Sequence, residues 1–410
     1  MCDLVYNGTN VYSFVVKERG NLMKFFHTAD WHLGKLVQGI YMTEDQQFVL
    51  EQFKEAIKEE EPDAIIIAGD LYDRAVPPTD AVNVLDELLA QIVLELNTPV
   101  LAVVGNHDSP GRLNFGSRLM KGNGIHIAGH VHKNHQAAVL TDDFGEVHFH
   151  LIPYADPSVV RYEFGDDTIR THNDAMKAIT ENIKSAYNPR ARHVFVGHAF
   201  VTSHGEQEEN TSDSERPLSI GGAEHVDARH FEGFHYTALG HLHKAHYVRN
   251  ETIRYAGSPL KYSISEEHHK KGFHIVELDG QGEVTVEKRL FFPKRDMRTV
   301  EGTMEEILRH EISEDFVFVT LLDDAPVLFP MEKVRSVYPN TMHVERKNFT
   351  GAMVESETGS RRKMDSLSLF HAFYEEVKGE TASDETIEVF TEVLQEFLHE
   401  EPAQKEEVKS

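Results

Sequence analysis

Five short stretches end in side chains able to hold a metal ion: Ala29-Asp30-Trp31-His32, Gly69-Asp70-Leu71-Tyr72-Asp73, Gly105-Asn106-His107-Asp108, Gly197-His198 and Gly240-His241-Leu242-His243. A single Asp-x-His is ordinary turn chemistry. Here each stretch follows an apolar run of strand length, and in open α/β sheets ligands bind beyond the carboxyl ends of the strands. Such ends would meet at one crevice, with the glycines letting the backbone turn sharply beneath it. Carboxylate, imidazole and one amide, with no thiol, suit Mn2+, Fe2+ or Zn2+ better than Ca2+ or a structural zinc. The donors are too many for one ion. Two ions about 3.5–4 Å apart, bridged by one carboxylate, would use them all.

The elements that must position these groups follow from periodicity. Residues 24–29 read as a strand and 44–60 as an amphipathic helix with Phe48, Phe53 and Ile57 on its apolar side. A buried strand follows at 63–70, then a helix at 79–96 carrying Val82, Leu85, Leu88, Leu89 and Ile92, then a strand at 99–108. This β-α-β-α-β series predicts a layered α/β core. Further strands are expected at 193–199, 236–243 and 273–278, and a polar, acidic surface loop at 202–217. The domain of residues 23–293 closes at Pro293. A small α/β unit, 294–349, follows: strand 297–301, helix 303–312, strand 316–322, helix 330–337, strand 341–346. Residues 350–363 form a polar linker, 364–400 two amphipathic helices (near 366–378 and 384–399), and 401–410 a charged tail expected to be disordered. The helical stripes are Leu367, Phe370, Tyr374 and Val377, then Ile387, Phe390, Leu394 and Phe397.

Composition narrows the function classes. The 410 residues favour more than one domain, and 40% apolar content supplies a sizeable core. One cysteine, Cys2, rules out a disulfide framework and fits a reducing cytoplasm. No apolar run approaches a membrane span. A net charge of -27 argues against a simple basic DNA-binding module. It leaves open an enzyme whose metal ions carry the positive charge. Residues 1–22 carry no motif and resemble no leader peptide; they are expected to be a non-native or disordered extension, with the true start at Met23.

The order Asp-x-His, Gly-Asp-x-x-Asp, Gly-Asn-His-Asp, Gly-His, Gly-His-x-His resembles the calcineurin-like metallophosphoesterase superfamily. Longer stretches (HTADWHLGK, GDLYDRAVPP, GNHDSPGRLNFGS, YTALGHLH, YAGSPLKYSISE) are similar to the bacterial DNA-nuclease subunits of that superfamily over residues 23–345. The resemblance implies a layered α/β fold, a β-sandwich flanked by helices, with a small capping domain. It implies a manganese-dependent 3′-to-5′ exonuclease and endonuclease on double-stranded DNA, serving repair and recombination in the cytoplasm. It also implies a coiled-coil ATPase partner, docked on the C-terminal helices, and a homodimer within a heterotetramer. Asp30, His32 and His243 would hold the first ion, Asp70 would bridge, and Asn106, His198 and His241 would hold the second. His107 would be no ligand but a proton donor over the scissile phosphate, with Asp108 orienting it and favouring its charged form. One departure is Ala245-His246, where Pro-Gln would be expected.

Other residues admit two readings. Asp73 either hydrogen-bonds a ligand or caps the turn before Pro77-Pro78. Arg74, Arg112 and Arg118 flank the motifs and either contact phosphates or form surface ion pairs. Lys294, Arg295, Arg298, Arg346 and Lys347 give the capping unit basic ends and are expected to meet DNA. His126, His130, His132 and His135 read as mostly solvated, His268-His269 as a turn with some chance of phosphate contact, and Trp31 as core. The alternative activity on the same two-metal core is that of a phosphodiesterase or phosphoprotein phosphatase; a non-catalytic scaffold would not need the full donor set.

Overall fold

The structure is a computed structural model that describes residues 14–15, 22–205, 212–215 and 224–347, with scattered positions between 370 and 393. Two sheets face each other. One has six strands in the order Val284–Leu290, Gly272–Leu278, Met23–Thr28, Ala64–Ala68, Val100–Val103, Ile125–Ala128. Its last four strands run parallel. The other has seven, in the order Phe14–Val15, Ala138–Asp142, Gly145–Ile152, Arg192–His198, Tyr236–Gly240, Asn250–Tyr255, His246–Val248.

Side-chain alternation along each strand builds the layers. Phe25, Ile66 and Leu101 point between the sheets, where they meet Phe149, Val194 and Tyr236. Their neighbours Phe26, Ile65 and Ile67 point outward, under Val49, Phe53 and Ile57 of the helix Thr43–Glu60 and Leu85 and Leu88 of Thr79–Ala90. On the far side, Phe195 and Leu239 meet Met176, Ile179 and Ile183 of the helix His172–Ser185. Strands buried on both faces read as unbroken apolar runs, as in Ile65-Ile66-Ile67. Each fully buried aromatic in these layers contributes roughly 1.5–3 kcal/mol.

Two helical positions differ from expectation. Phe48 is 44% exposed, because the buried stripe runs through Gln46, Val49, Leu50, Phe53, Ala56 and Ile57. Val82 is 39% exposed on its helix, whose last turn, Gln91–Glu95, widens to a π-turn.

The chain through Lys347 forms one compact unit, so sandwich and capping unit share it; Asn348–Ser410 form a second unit. The capping unit has three parallel strands, Met297–Gly302, Phe316–Leu321 and Thr341–Arg346. Its helices, Met304–Ile307 and Pro330–Arg335, are shorter than the sequence pattern suggested. Met297, Phe316 and Met342 join the core beneath Thr43–Glu60. Polar contacts fix the cap as well: Lys261 Nζ donates to Asp296 Oδ1 at 2.7 Å, and Glu267 accepts from Thr299 N at 2.7 Å and Oγ1 at 2.8 Å. In the second unit the rings of Phe370 and Phe390 stack at 4.0 Å, so the two stripes meet there. The linker 350–363, the tail 401–410 and most of both helices lie outside the described residues. Of the extension 1–22, only Phe14–Val15, which pair with Leu140 and Thr141, and residue 22 are described. Among the described residues no helix is long and apolar enough to cross a membrane.

Candidate metal centre

Strands from both sheets deliver the motif residues to one place. The loops after Met23–Thr28 and Ala64–Ala68 are zipped together: Asp30 N donates to Gly69 O at 3.0 Å, His32 N to Asp70 O at 2.9 Å, and Leu33 N to Leu71 O at 2.9 Å. The buried Gln46 clamps the first loop. Its Nε2 donates to Trp31 O (3.0 Å) and His32 O (2.8 Å), and its Oε1 accepts from Gly34 N (3.1 Å). Tyr262 adds a hydroxyl to Trp31 O at 2.5 Å. The Trp31 ring is fully buried, its Nε1 bonded to Thr28 Oγ1 at 2.9 Å, which is the core role expected of it.

This clamping holds a strained backbone. Asp30 (φ 53°), His32 (φ 46°), Asp70 (φ 50°) and His241 (φ 108°) all lie in left-handed territory, at roughly 1–3 kcal/mol each. The motif glycines serve chiefly for close approach. A Cβ on Gly105 would lie 2.1 Å from Asp70 Oδ1, and one on Gly240 would lie 1.9 Å from Ala68 O.

Three sets of donor atoms converge within 4.8 Å: Asp30, His32 and His243; Asp30, Asp70 and His198; and His32, Asp73 and His107. The imidazole protons show why these sets suit cations. His198 donates its Nδ1 proton to Ala68 O (3.0 Å), which turns Nε2 to the site, where it faces Asn106 Oδ1 at 2.8 Å and Asp70 Oδ2 at 3.4 Å. His243 Nδ1 faces Ser214 Oγ (2.7 Å) and Glu266 Oε1 (3.1 Å), which leaves its Nε2 bare, 3.1 Å from His32 Nε2. Acceptor against acceptor at these distances repels unless a cation or proton lies between. Burial disfavours the charged form of His198, but Asp70 and then Asp30 pull it up to about 9. Burial likewise opposes ionisation of Asp70, yet His198 holds it well below the usual carboxylate range. Burial pushes Asp30 up to about 7, against His198 and His243. His241 joins none of the three sets; its ring lies 5.4 Å from that of His198, and its backbone N–H donates to both Asp30 oxygens at 2.9 and 3.1 Å.

His107 stands beside this cluster, its ring 4.7 Å from that of His32. Asp108 does not orient it. The Asp108 carboxylate accepts from Leu71 N (3.1 Å), Tyr72 N (2.9 Å) and Gly105 N (3.0 Å), tying the second and third loops together. The atom facing His107 Nδ1 is the Asp73 carbonyl, at 2.8 Å. The Asp73 carboxylate pairs with Lys35 at 2.8 Å and lies 3.7 Å from His32 Nδ1, too far for a hydrogen bond.

The basic ends expected of the capping unit are mostly neutralised. Lys294 pairs with Glu44, Arg295 with the buried Asp45, Arg298 with Asp315 and Lys347 with Glu301. Arg295 therefore holds the cap to the helix Thr43–Glu60, because a buried carboxylate needs a partner. Arg74 and Arg112 are exposed. Arg118 lines a cavity of about 520 Å³ together with His126, His130, His132 and His135. Of those four, His130 and His132 are exposed, whereas His126 is only 8% exposed and burial holds it down to about 4. His246, at the departure noted above, stacks on Tyr255 at 5.0 Å.

Several contributors escaped sequence reasoning. Residues 212–215, read as surface loop, reach His243: Ser214 meets its Nδ1, and Glu215 Oε1 accepts its backbone N–H at 2.6 Å. Glu266, Lys271, Tyr262 and Gln46 complete the surroundings. Only the Tyr-Ser-Ile-Ser-Glu stretch could have hinted at two of them.

Residues 23–245 match the family described as calcineurin-like phosphoesterase, and residues 293–378 match the Type 5 capsule protein repressor C-terminal domain. The chain is 34% identical over 363 residues to the D subunit of the SbcCD nuclease of Staphylococcus saprophyticus, covering 87% of this chain and 94% of that one. It is 34% identical over 359 residues to its counterpart in Staphylococcus epidermidis, covering 86% and 92%. A solved dimetal phosphatase from Danio rerio is 10% identical, covers 67% of this chain with 98% of its own length, and has a TM-score of 0.36, too slight to argue from.

Proposed function

The chain belongs to the calcineurin-like phosphoesterase family, and on that premise we propose that it is the nuclease subunit of an SbcCD-type complex, a two-metal phosphodiesterase that cuts double-stranded DNA as 3′-to-5′ exonuclease and endonuclease. The observation that carries this reading is the convergence of bare imidazole nitrogens and carboxylates, with His107 at their edge. In this reading Asp30, His32 and His243 would hold one divalent ion and Asn106, His198 and His241 the other, with Asp70 serving both. Oxygen and imidazole donors without thiolate suit Mn2+, Fe2+ or Zn2+, and the resemblance favours Mn2+ among them. Two such ions supply Lewis acidity and activate water at neutral pH.

The chain's own residues do the rest. The Asp73 carbonyl accepts from His107 Nδ1–H, so in the imidazolium form it is Nε2–H that gives its proton to the departing sugar oxygen, leaving the neutral Nδ1–H ring. Asp108 keeps the loop bearing Asn106 and His107 against that bearing Asp70. The partner is an SbcC-type coiled-coil ATPase bound through the C-terminal helices, with two copies of this chain in a cytoplasmic heterotetramer serving DNA repair and recombination.

The experiment is a pair of variants assayed with Mn2+ on linear duplex DNA and on p-nitrophenyl phosphate esters. His107→Ala should keep both ions by metal analysis and lose DNA cleavage; Asp70→Ala should lose metal. Loss of an ion in His107→Ala would make it a ligand instead. Hydrolysis of the small esters with no action on DNA would favour a phosphatase.

A further inference from the structure

The imidazoles at the centre differ in what lies behind the distal nitrogen, and His243 stands apart. His198 and His107 each donate Nδ1–H to a backbone carbonyl, Ala68 O at 3.0 Å and Asp73 O at 2.8 Å. His32 Nδ1 has no hydrogen-bond partner. His243 Nδ1 instead faces a carboxylate, Glu266 Oε1 at 3.1 Å, with Ser214 Oγ at 2.7 Å from the same nitrogen.

Glu266 is 0% exposed. A buried carboxylate is costly, and a carbonyl would have sufficed to fix the tautomer. An anion behind the ring does something more: it raises the basicity of the distal lone pair and tightens the metal that the lone pair holds. The surroundings keep Glu266 charged and still. Lys271 pairs with its other oxygen, and Lys271 Nζ also donates to Ser258 Oγ (2.8 Å) and His243 O (2.9 Å). Ser214 donates to Glu266 as well. The neighbouring Glu267 bonds Thr299 of the capping unit, and Tyr262 of the same segment bonds Trp31 O beside His32. Residues 262–271 thus run from one side of the centre to the other, pinned at several points.

Resting on the proposed ligand role of His243, we propose that Glu266 is a positioning residue that acts through His243 to set the affinity of the metal position His243 serves. The competing explanation is that Glu266 exists only to neutralise Lys271. The two separate in a double variant. Glu266→Gln keeps an oxygen for His243 but removes the anion; Lys271→Met, made with it, removes the cation that would be stranded.

The full-length, metal-free protein is titrated with Mn2+, free ion being read by its electron paramagnetic resonance signal, and unfolding is followed in chelator. In the double variant one of two Mn2+ positions should weaken by about 10–100-fold. The other position and the metal-free unfolding midpoint should hold. Lys271→Met alone, which retains the carboxylate, should not reproduce the selective loss. Wild-type affinity at both positions in the double variant, or equal weakening of both, would overturn the proposal. His243→Ala is the reference: if it too leaves both positions intact, the ligand assignment itself falls, and this inference with it.

Discussion

Replacing Arg295 with alanine distinguishes a clamp from a DNA contact. The Arg295 guanidinium bonds Asp45 through Nε at 2.9 Å and through Nη2, comes within 3.5 Å of Glu44, and lies 4.9 Å from the centre of the Phe316 ring. Asp45 is 0% exposed, at the start of the helix on which the cap rests. Without Arg295 that carboxylate is stranded in a mostly apolar contact. Breaking a buried pair from one side costs about 3–5 kcal/mol. At about 1.4 kcal/mol per decade this is about two to three and a half decades in the opening equilibrium of the capping unit. Hydrogen exchange of the strand Met297–Gly302 should accelerate by that factor, with the sandwich strands little changed. Asp45→Asn with Arg295→Ala should recover most of the loss, since no charge is then left buried. DNA affinity should keep its salt dependence. A residue touching phosphate would lower the slope of log affinity against log salt by about 0.9. Unchanged exchange together with such a drop would refute the clamp.

Three further outcomes are expected. Gly105→Ala places a Cβ 2.1 Å from Asp70 Oδ1, and a displacement near 1 Å costs on the order of 10²-fold in rate; Mn2+ analysis should show metal lost with activity, and retention of two ions at wild-type affinity would contradict the geometry. Acid should weaken the metal-free fold: burial holds His274 down to about 4 while the unfolded chain titrates near the ordinary value, so its stabilisation is full above about pH 6.5 and declines toward pH 4, by about 3 kcal/mol. Urea midpoints in chelator at pH 7.5 and 5 should show this, with a shallower fall in His274→Gln. Removing residues 348–410, the second compact unit, should abolish capture of an SbcC-type ATPase and leave Mn2+-dependent cleavage intact; unchanged capture would place the partner elsewhere.

The ligand-bearing loops were legible because strand, glycine and donor are contiguous in the chain and recur in order. Their contiguity also misled. Asp108 follows His107 directly, but adjacency in sequence does not set direction: after the turn at Gly105 its carboxylate points back at the amides of Gly105, Leu71 and Tyr72. The basic flank of the cap misled in the same way. Lys294 and Arg295 look unopposed locally, and their acids, Glu44 and Asp45, lie some 250 residues earlier.

Gln46 and Glu266 were invisible for a related reason. Each is one polar residue whose partner depends on how separate elements are set against each other; Gln46 has no local mark, and Glu266 only its place at the end of the Tyr-Ser-Ile-Ser-Glu stretch. The strain was only partly placed. The sequence suggested that glycines would absorb the sharp backbone turns, and Gly69 does (φ 95°), but Asp30, His32, Asp70 and His241 take left-handed conformations as well. A left-handed ligand residue throws its side chain in a direction an extended one cannot reach, so substituting glycine to relieve the strain would remove the donor. The cost is borne instead by the zipped amides of Asp30, His32 and Leu33 and by the Gln46 clamp. Those contacts are all protein to protein, so the directions of the donors are set by the fold itself.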